Sequence, residues 1–103
     1  HGGVGQGLGY ALTEDLVTRE GKALSKDLST YLIPGAMDTP DIVSIPYHGN
    51  EATGPFGMKG IGEVAMNGPL PAVAKALADA SGIRLCHAPL TPSRALEAIE
   101  ASG

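Results

Sequence analysis

One carboxylate in this sequence is placed to do chemistry. Glu63 ends the stretch Gly60-Ile61-Gly62 and is followed by Val64, Ala65 and Met66. A carboxylate set among apolar neighbours is partly desolvated, which favours its protonated form and equips it as a general base near neutral pH. The competing reading is a solvated loop glutamate, since surface glutamates are common. A second candidate lies at the start of the chain. Gln6 is embedded in Gly5-Gln6-Gly7-Leu8-Gly9, just ahead of a stretch with helical spacing. Its side-chain amide donates and accepts at once, and a glycine-rich helix start leaves backbone N–H groups free for an anion. Local backbone bonding by Gln6 is the alternative.

Other chemistries lack their residues. His1, His48 and His87 have no partners at metal-ligand spacing, so no metal site is expected from side chains. Cys86 is the single cysteine, which excludes an internal disulfide and a cysteine-rich zinc site. A reducing compartment, the cytoplasm, is the simpler expectation. The pattern around Gln6 is not the dinucleotide fingerprint, because no strand precedes it and the spacing differs. Gly60-Ile61-Gly62-Glu63 is no phosphate loop, because no Lys-Ser/Thr follows. No serine-centred elbow motif is present.

The elements that must position Glu63 and Gln6 are short. The chain has 103 residues, of which 15 are glycine, 8 proline and only 4% aromatic. One domain, or a piece of a larger one, is all this length allows. The chain opens at His1 inside a glycine run without an initiator Met, which suggests a fragment or a processed product. Net charge is −4 and no basic patch stands out, so nucleic acid is not the expected partner. No apolar run is long enough to span a membrane. Leu8, Leu12 and Leu16 predict a helix over 5–18. Residues 23–33 fit a helix by their leucines and a strand by Ser29-Thr30-Tyr31. The run 42–47 reads as a strand pushed to an edge by Pro46. Pro69 and Pro71 open a helix over 70–81, whose stripe includes Leu70, Val73 and Leu77, with Gly82 as its cap. Residues 83–87 alternate as a strand that would bury Cys86. Thr91-Pro92 opens a last helix over 92–100. The expected class is α+β: a small mixed sheet of short strands with three to four helices.

With these residues in place the sequence resembles a known family. Gly54-Pro55-Phe56-Gly57-Met58-Lys59-Gly60-Ile61-Gly62-Glu63 is similar to the active-site loop of the xanthine dehydrogenase / aldehyde oxidase family, the molybdenum hydroxylases. The run from His1 to Leu12 resembles the family's cofactor-contacting segment. Ser29-Thr30-Tyr31-Leu32-Ile33-Pro34 resembles its Tyr-x-Ile-Pro stretch, and residues 80–92 its closing helix–strand–helix. All four occur in the family's order. Two positions depart: Met58 stands where alanine is usual, and Val64 where many members have proline. A complete molybdenum-binding subunit is several times longer, so the resemblance implies that residues 1–103 are the C-terminal part of a molybdopterin-binding domain.

The resemblance carries further expectations. Glu63 matches the family's catalytic glutamate, the general base in a hydroxylation that takes its oxygen from water. Gln6 matches a cofactor-contacting glutamine. Gly5 and Gly7 beside it, and Gly60, Ile61 and Gly62, match backbone lying against the cofactor. Lys59 receives no catalytic role and is expected to pair with a carboxylate. The implied cofactor is molybdopterin, or its cytosine dinucleotide form, with molybdenum. Iron–sulfur clusters and FAD are implied only on partner domains or subunits. The implied substrate is a small molecule: an N-heterocycle such as a xanthine-like purine, or an aldehyde. Apart from the resemblance, two readings remain: an isolated non-catalytic domain, or a generic anion- or nucleotide-binding module using the glycine-rich helix start.

Overall fold

The opening glycines coil into a helix. In the computed structural model, which covers residues 1–103, α1 spans Gly2–Leu12, earlier and shorter than the expected 5–18. Each interior glycine weakens a helix by about 1 kcal/mol relative to alanine, so propensity does not make this one. Packing does, because α1 lies directly on the 3-10 turn Val64–Asn67 and on α2 (Pro69–Ser81). It stops at Leu12 because the N–H groups of Thr13 and Glu14 both turn back to the Gly9 carbonyl, at 3.0 and 2.8 Å.

Leu16 therefore lies outside the helix. The chain instead makes a small antiparallel ribbon, β1 (Thr18–Arg19) with β2 (Lys22–Ala23), in the register Thr18 to Ala23 and Arg19 to Lys22. Glu20 and Gly21 join them with φ of 51° and 75°. Positive φ at both central residues is the tight hairpin turn whose twist matches the strands. The ambiguous stretch that follows is neither helix nor strand beyond Ala23. Asp27 organises it, its Oδ1 accepting from the Ser29 N–H and from the hydroxyls of Ser29 and Thr30.

The later helices follow their sequence signals. α2 begins on Pro69 and ends at Gly82, whose φ of 75° lets its N–H reach the Ala78 carbonyl at 2.8 Å. α3 spans Pro92–Ser102, and the Thr91 hydroxyl accepts from the Arg94 N–H at 3.3 Å, as an N-cap does. Three α-helices and one ribbon keep the fold in the α+β class.

The two expected strands are absent as strands. Residues 42–47 and 83–87 form no ladder, and Cys86 is exposed where burial was expected. Val43, Ile45 and Tyr47 are 83%, 85% and 90% exposed. Their alternation is that of a strand, but a strand needs a neighbour for its backbone groups, and these residues gain none within the chain.

The core is correspondingly small. Ala11 is fully buried and Leu90 nearly so, joined by a 2.6 Å bond from the Leu90 N–H to the Ala11 carbonyl. Arg94 fastens the other end of the molecule to the segment after α1, reaching Asp15 and the Pro89 carbonyl, each at 2.9 Å. The chain exposes 8152 Å². A self-contained monomer of this mass exposes about 5,400 Å². Its radius of gyration is 17.2 Å, against about 13 Å for a compact domain of this length. No helix is long and apolar enough to cross a membrane.

Candidate functional site

The two glycine-rich runs meet through α1. Gly3 and Gly7, one helical turn apart, face the turn Val64–Asn67 and the start of α2. A Cβ on Gly3 would stand 2.8 Å from the Ala65 Cβ, and one on Gly7 would stand 2.7 Å from Pro69 Cγ and 2.8 Å from the Met66 carbonyl oxygen. Only glycine allows this approach without displacing backbone. Glu63 immediately precedes the turn that carries Ala65 and Met66. It is the N-cap of their 3-10 turn, with its carbonyl accepting from the Met66 N–H at 3.0 Å. The packing of α1 thus sets the position of the Glu63 backbone.

The expected site residues separate into groups. Gly7 is buried and turned inward, where its role is packing. Gly5 and Gln6 lie on another face of α1 and line a groove of about 390 Å³ with Gly2, Glu14, Ile33, Pro34 and Thr39. Gly60 and Ile61 line a second groove, of about 440 Å³, with aromatic and apolar company from Tyr47, Phe56 and Met58. Gly62 and Glu63 follow in irregular backbone, and both are exposed. The apolar residues next to Glu63 in sequence do not enclose its carboxylate within this chain. Val64 itself is 61% exposed.

Four other glycines differ from Gly3 and Gly7 in one respect. A Cβ on Gly2, Gly5, Gly60 or Gly62 would meet nothing of the chain within 4 Å. Glycine at these positions is not demanded by the chain's own packing. The Lys59 ammonium rests over Gly49 rather than on a carboxylate; the ion pairs are Lys75 with Asp79 and Arg94 with Asp15. No three His, Cys, Asp or Glu side chains gather in a metal-binding group.

Sequence reasoning gave Glu14 no role and placed Tyr31 only within the family's Tyr-x-Ile-Pro stretch. The Tyr31 hydroxyl donates to Glu14 Oε2 at 2.6 Å, across 17 positions of sequence. This bond, with partial desolvation and the like charge of the carboxylate beside it, raises the phenol to about 12.

The chain is similar to known proteins in both sequence and structure. The Molybdopterin cofactor-binding domain family matches residues 1–40. The chain is 34% identical over 102 residues to a "Probable xanthine dehydrogenase" subunit of Bacillus subtilis, covering 99% of this chain and 14% of that protein. It is 34% identical over 101 residues to the "Aldehyde oxidoreductase" of Megalodesulfovibrio gigas, covering 98% of this chain and 11% of that one. The structure resembles that of quinoline 2-oxidoreductase from Pseudomonas putida 86, with a TM-score of 0.86 and 31% identity over 96% of this chain and 13% of the other. The 103 residues thus span a small share of the length of each relative. Near-complete coverage of this chain by such proteins, in sequence and in fold, identifies it as belonging to the xanthine dehydrogenase / aldehyde oxidase family.

Proposed function

We propose that this chain supplies two adjoining walls of a molybdenum hydroxylase active site, with Glu63 as the general base. The observation that carries this reading is the seating of Gly3 and Gly7 on Ala65, Met66 and Pro69, which holds the Gln6 helix beside the segment led by Glu63. The residues present fit a large planar hydrogen-bonding group. Gly2, Gly5, Gly60 and Gly62 leave room for close approach, Gln6 is exposed, and no side chain caps the first turn of α1. Gly5, Gln6, Gly60, Ile61 and Gly62 would hold it, while Gly7 sets the spacing between the walls. When bound, molybdopterin or its cytosine dinucleotide form, with molybdenum, supplies the two-electron redox chemistry.

Glu63 then has one task. Its carboxylate accepts the proton of the water that provides the oxygen, and so must come within about 3 Å of that proton. Irregular backbone at Gly60–Gly62 lets the carboxylate reach past the wall it stands on. The substrate is an N-heterocycle of xanthine-like type or an aldehyde, the classes named in the relatives. Electrons leave through iron–sulfur clusters and FAD on partner domains or subunits.

The surplus exposed surface supports placing this chain, as the C-terminal part of its domain, against the remainder of the subunit. The lone exposed cysteine is in keeping with a cytoplasmic enzyme. By itself the 103-residue chain is inactive and holds no cofactor, because its grooves are open and a tight site encloses most of its ligand.

Glu63→Gln in the intact subunit tests the reading. Turnover is expected to fall by about 10²–10⁴, with molybdenum content unchanged. Turnover close to wild type would sink the assignment of Glu63. Tight stoichiometric binding of the cofactor by the 103-residue chain would refute the claim that it needs the rest of the subunit.

A further inference from the structure

We propose that Tyr31 and Glu14 are a positioning pair, whose hydrogen bond clamps Ile33–Pro34 across the helix and fixes the wall that faces Gln6. The inference rests on the reading of the Gln6 groove as a cofactor wall.

Four contacts build the clamp. The Glu14 N–H is tied to the Gly9 carbonyl at 2.8 Å, which fixes the root of the side chain. Its carboxylate then lies back over Gly9. A Cβ at position 9 would collide with Oε1 and stand 3.0 Å from Pro34 Cδ, so Gly9 is the clearance that lets the clamp close. Oε2 receives the Tyr31 hydroxyl at 2.6 Å. Beside it, the Thr13 hydroxyl donates to the Leu32 carbonyl at 2.7 Å. Side chains from the end of α1 thus hold two consecutive residues, Tyr31 and Leu32, immediately before Ile33 and Pro34.

The segment beyond is folded back by its own bonds. The Gly35 N–H donates to Asp38 Oδ2 at 2.8 Å, and the Thr39 hydroxyl donates to the Gly35 carbonyl at 3.1 Å. Thr39 returns by this route to the groove lined by Gln6, Ile33 and Pro34. Tyr31 does not line that groove; it acts through Glu14 and the chain it anchors. A hydroxyl bonded to a carboxylate is short and roughly twice as strong as a neutral pair. Removing the hydroxyl leaves a half-buried carboxylate without its donor and frees the wall to move. A wall about 1 Å out of place is enough to spoil a preorganised site.

The test uses the intact cofactor-loaded subunit and reads the rate of pterin and molybdenum release on dilution, alongside turnover per bound molybdenum. Tyr31→Phe and Glu14→Ala are each expected to speed release by roughly tenfold. The double variant is expected to be no worse than either single one, since both remove the same bond. Glu14→Gln keeps an acceptor oxygen and is expected to hold the cofactor far better than Glu14→Ala. Release at the wild-type rate in both single variants overturns the pairing, as do additive effects or a Glu14→Gln variant as poor as Glu14→Ala. If both single variants lose the fold altogether, the pair is structural and the positioning role is wrong. A wild-type subunit that holds no molybdenum cofactor overturns the underlying functional reading instead, and is distinguished by its metal and pterin content before any variant is made.

Discussion

On one face of α1, Gly3 and Gly7 press against Ala65, Met66 and Pro69; on another, a Cβ on Gly2 or Gly5 would meet nothing of this chain, and Gln6 is exposed in the groove they line. The same residue type serves both faces. On the packed face it brings two backbones together. On the open face the chain's own packing does not demand it, which is why these glycines are proposed to face a ligand. The difference separates structural glycines from candidate ligand-facing ones within a single helix, and each side of it can be tested by adding one methyl group.

The largest effect is expected on the packed face. Gly7→Ala drives a methyl into Pro69 and the Met66 carbonyl, and backbone cannot yield as a flexible side chain can. Overpacking of this kind costs about 1–3 kcal/mol. Hydrogen exchange of the α1 amides in the intact subunit measures it, as faster local opening. Because the Glu63 segment rests on the same contact, turnover should fall with it. Unchanged exchange would mean that the close approach of α1 to residues 64–69 does not hold the two walls together.

A change remote from both faces provides the reference. Thr91→Ala removes the cap of α3 by deleting the acceptor of the Arg94 N–H. Loss of such a cap costs about 1 kcal/mol. The α3 amides should exchange faster while cofactor retention stays as in wild type. Cofactor loss in this variant would show that retention follows general stability, and would blunt the contrast between the faces of α1.

How much of this was readable in the sequence depends on where each signal was closed. α2 and α3 were legible because proline, a capping threonine and a left-handed glycine act within a few residues. The class and the two glycine-rich segments were also legible. The limits of α1 were not, because a helix rich in glycine is made by a contact with residues some 60 positions away rather than by its own propensities. The ribbon at Thr18–Ala23 was missed because Glu20, an ordinary residue, adopts the positive φ usually left to glycine or asparagine. The runs 42–47 and 83–87 failed for a different reason: alternation marks a strand, but pairing depends on a neighbour that these residues do not have here. At the candidate site, Glu63 and Gln6 are singled out by type and setting alone, whereas the inward turn of Gly7 and the Tyr31–Glu14 bond are products of tertiary packing.

The third test inverts the sign of the first. Gly5→Ala places its methyl in open space on α1. Alanine in a helix interior is favoured over glycine by about 0.5–1 kcal/mol, so in cofactor-free subunit the α1 amides should exchange more slowly. In loaded subunit the same methyl stands on the face proposed to receive the cofactor, and release should be faster. Slower exchange together with unchanged retention would remove Gly5 from the proposed contact surface. Faster exchange without cofactor would erase the distinction between the two faces.

The smallest effect concerns the clamp beside the open face. Tyr31 is held protonated up to about 12, chiefly by its hydrogen bond to Glu14. An unperturbed tyrosine ionises near pH 10. Raised above its unfolded value, Tyr31 contributes stability that is fully present below about pH 10 and is lost as pH rises through about 12. Through the neutral range the clamp should therefore be indifferent to pH. The check is the difference in tyrosinate absorbance between wild-type and Tyr31→Phe subunits over an alkaline titration. The Tyr31 phenol should ionise well above pH 10. A titration near pH 10 would mean that Tyr31 does not spend its time on Glu14, and the wall opposite Gln6 would then lack the support proposed for it.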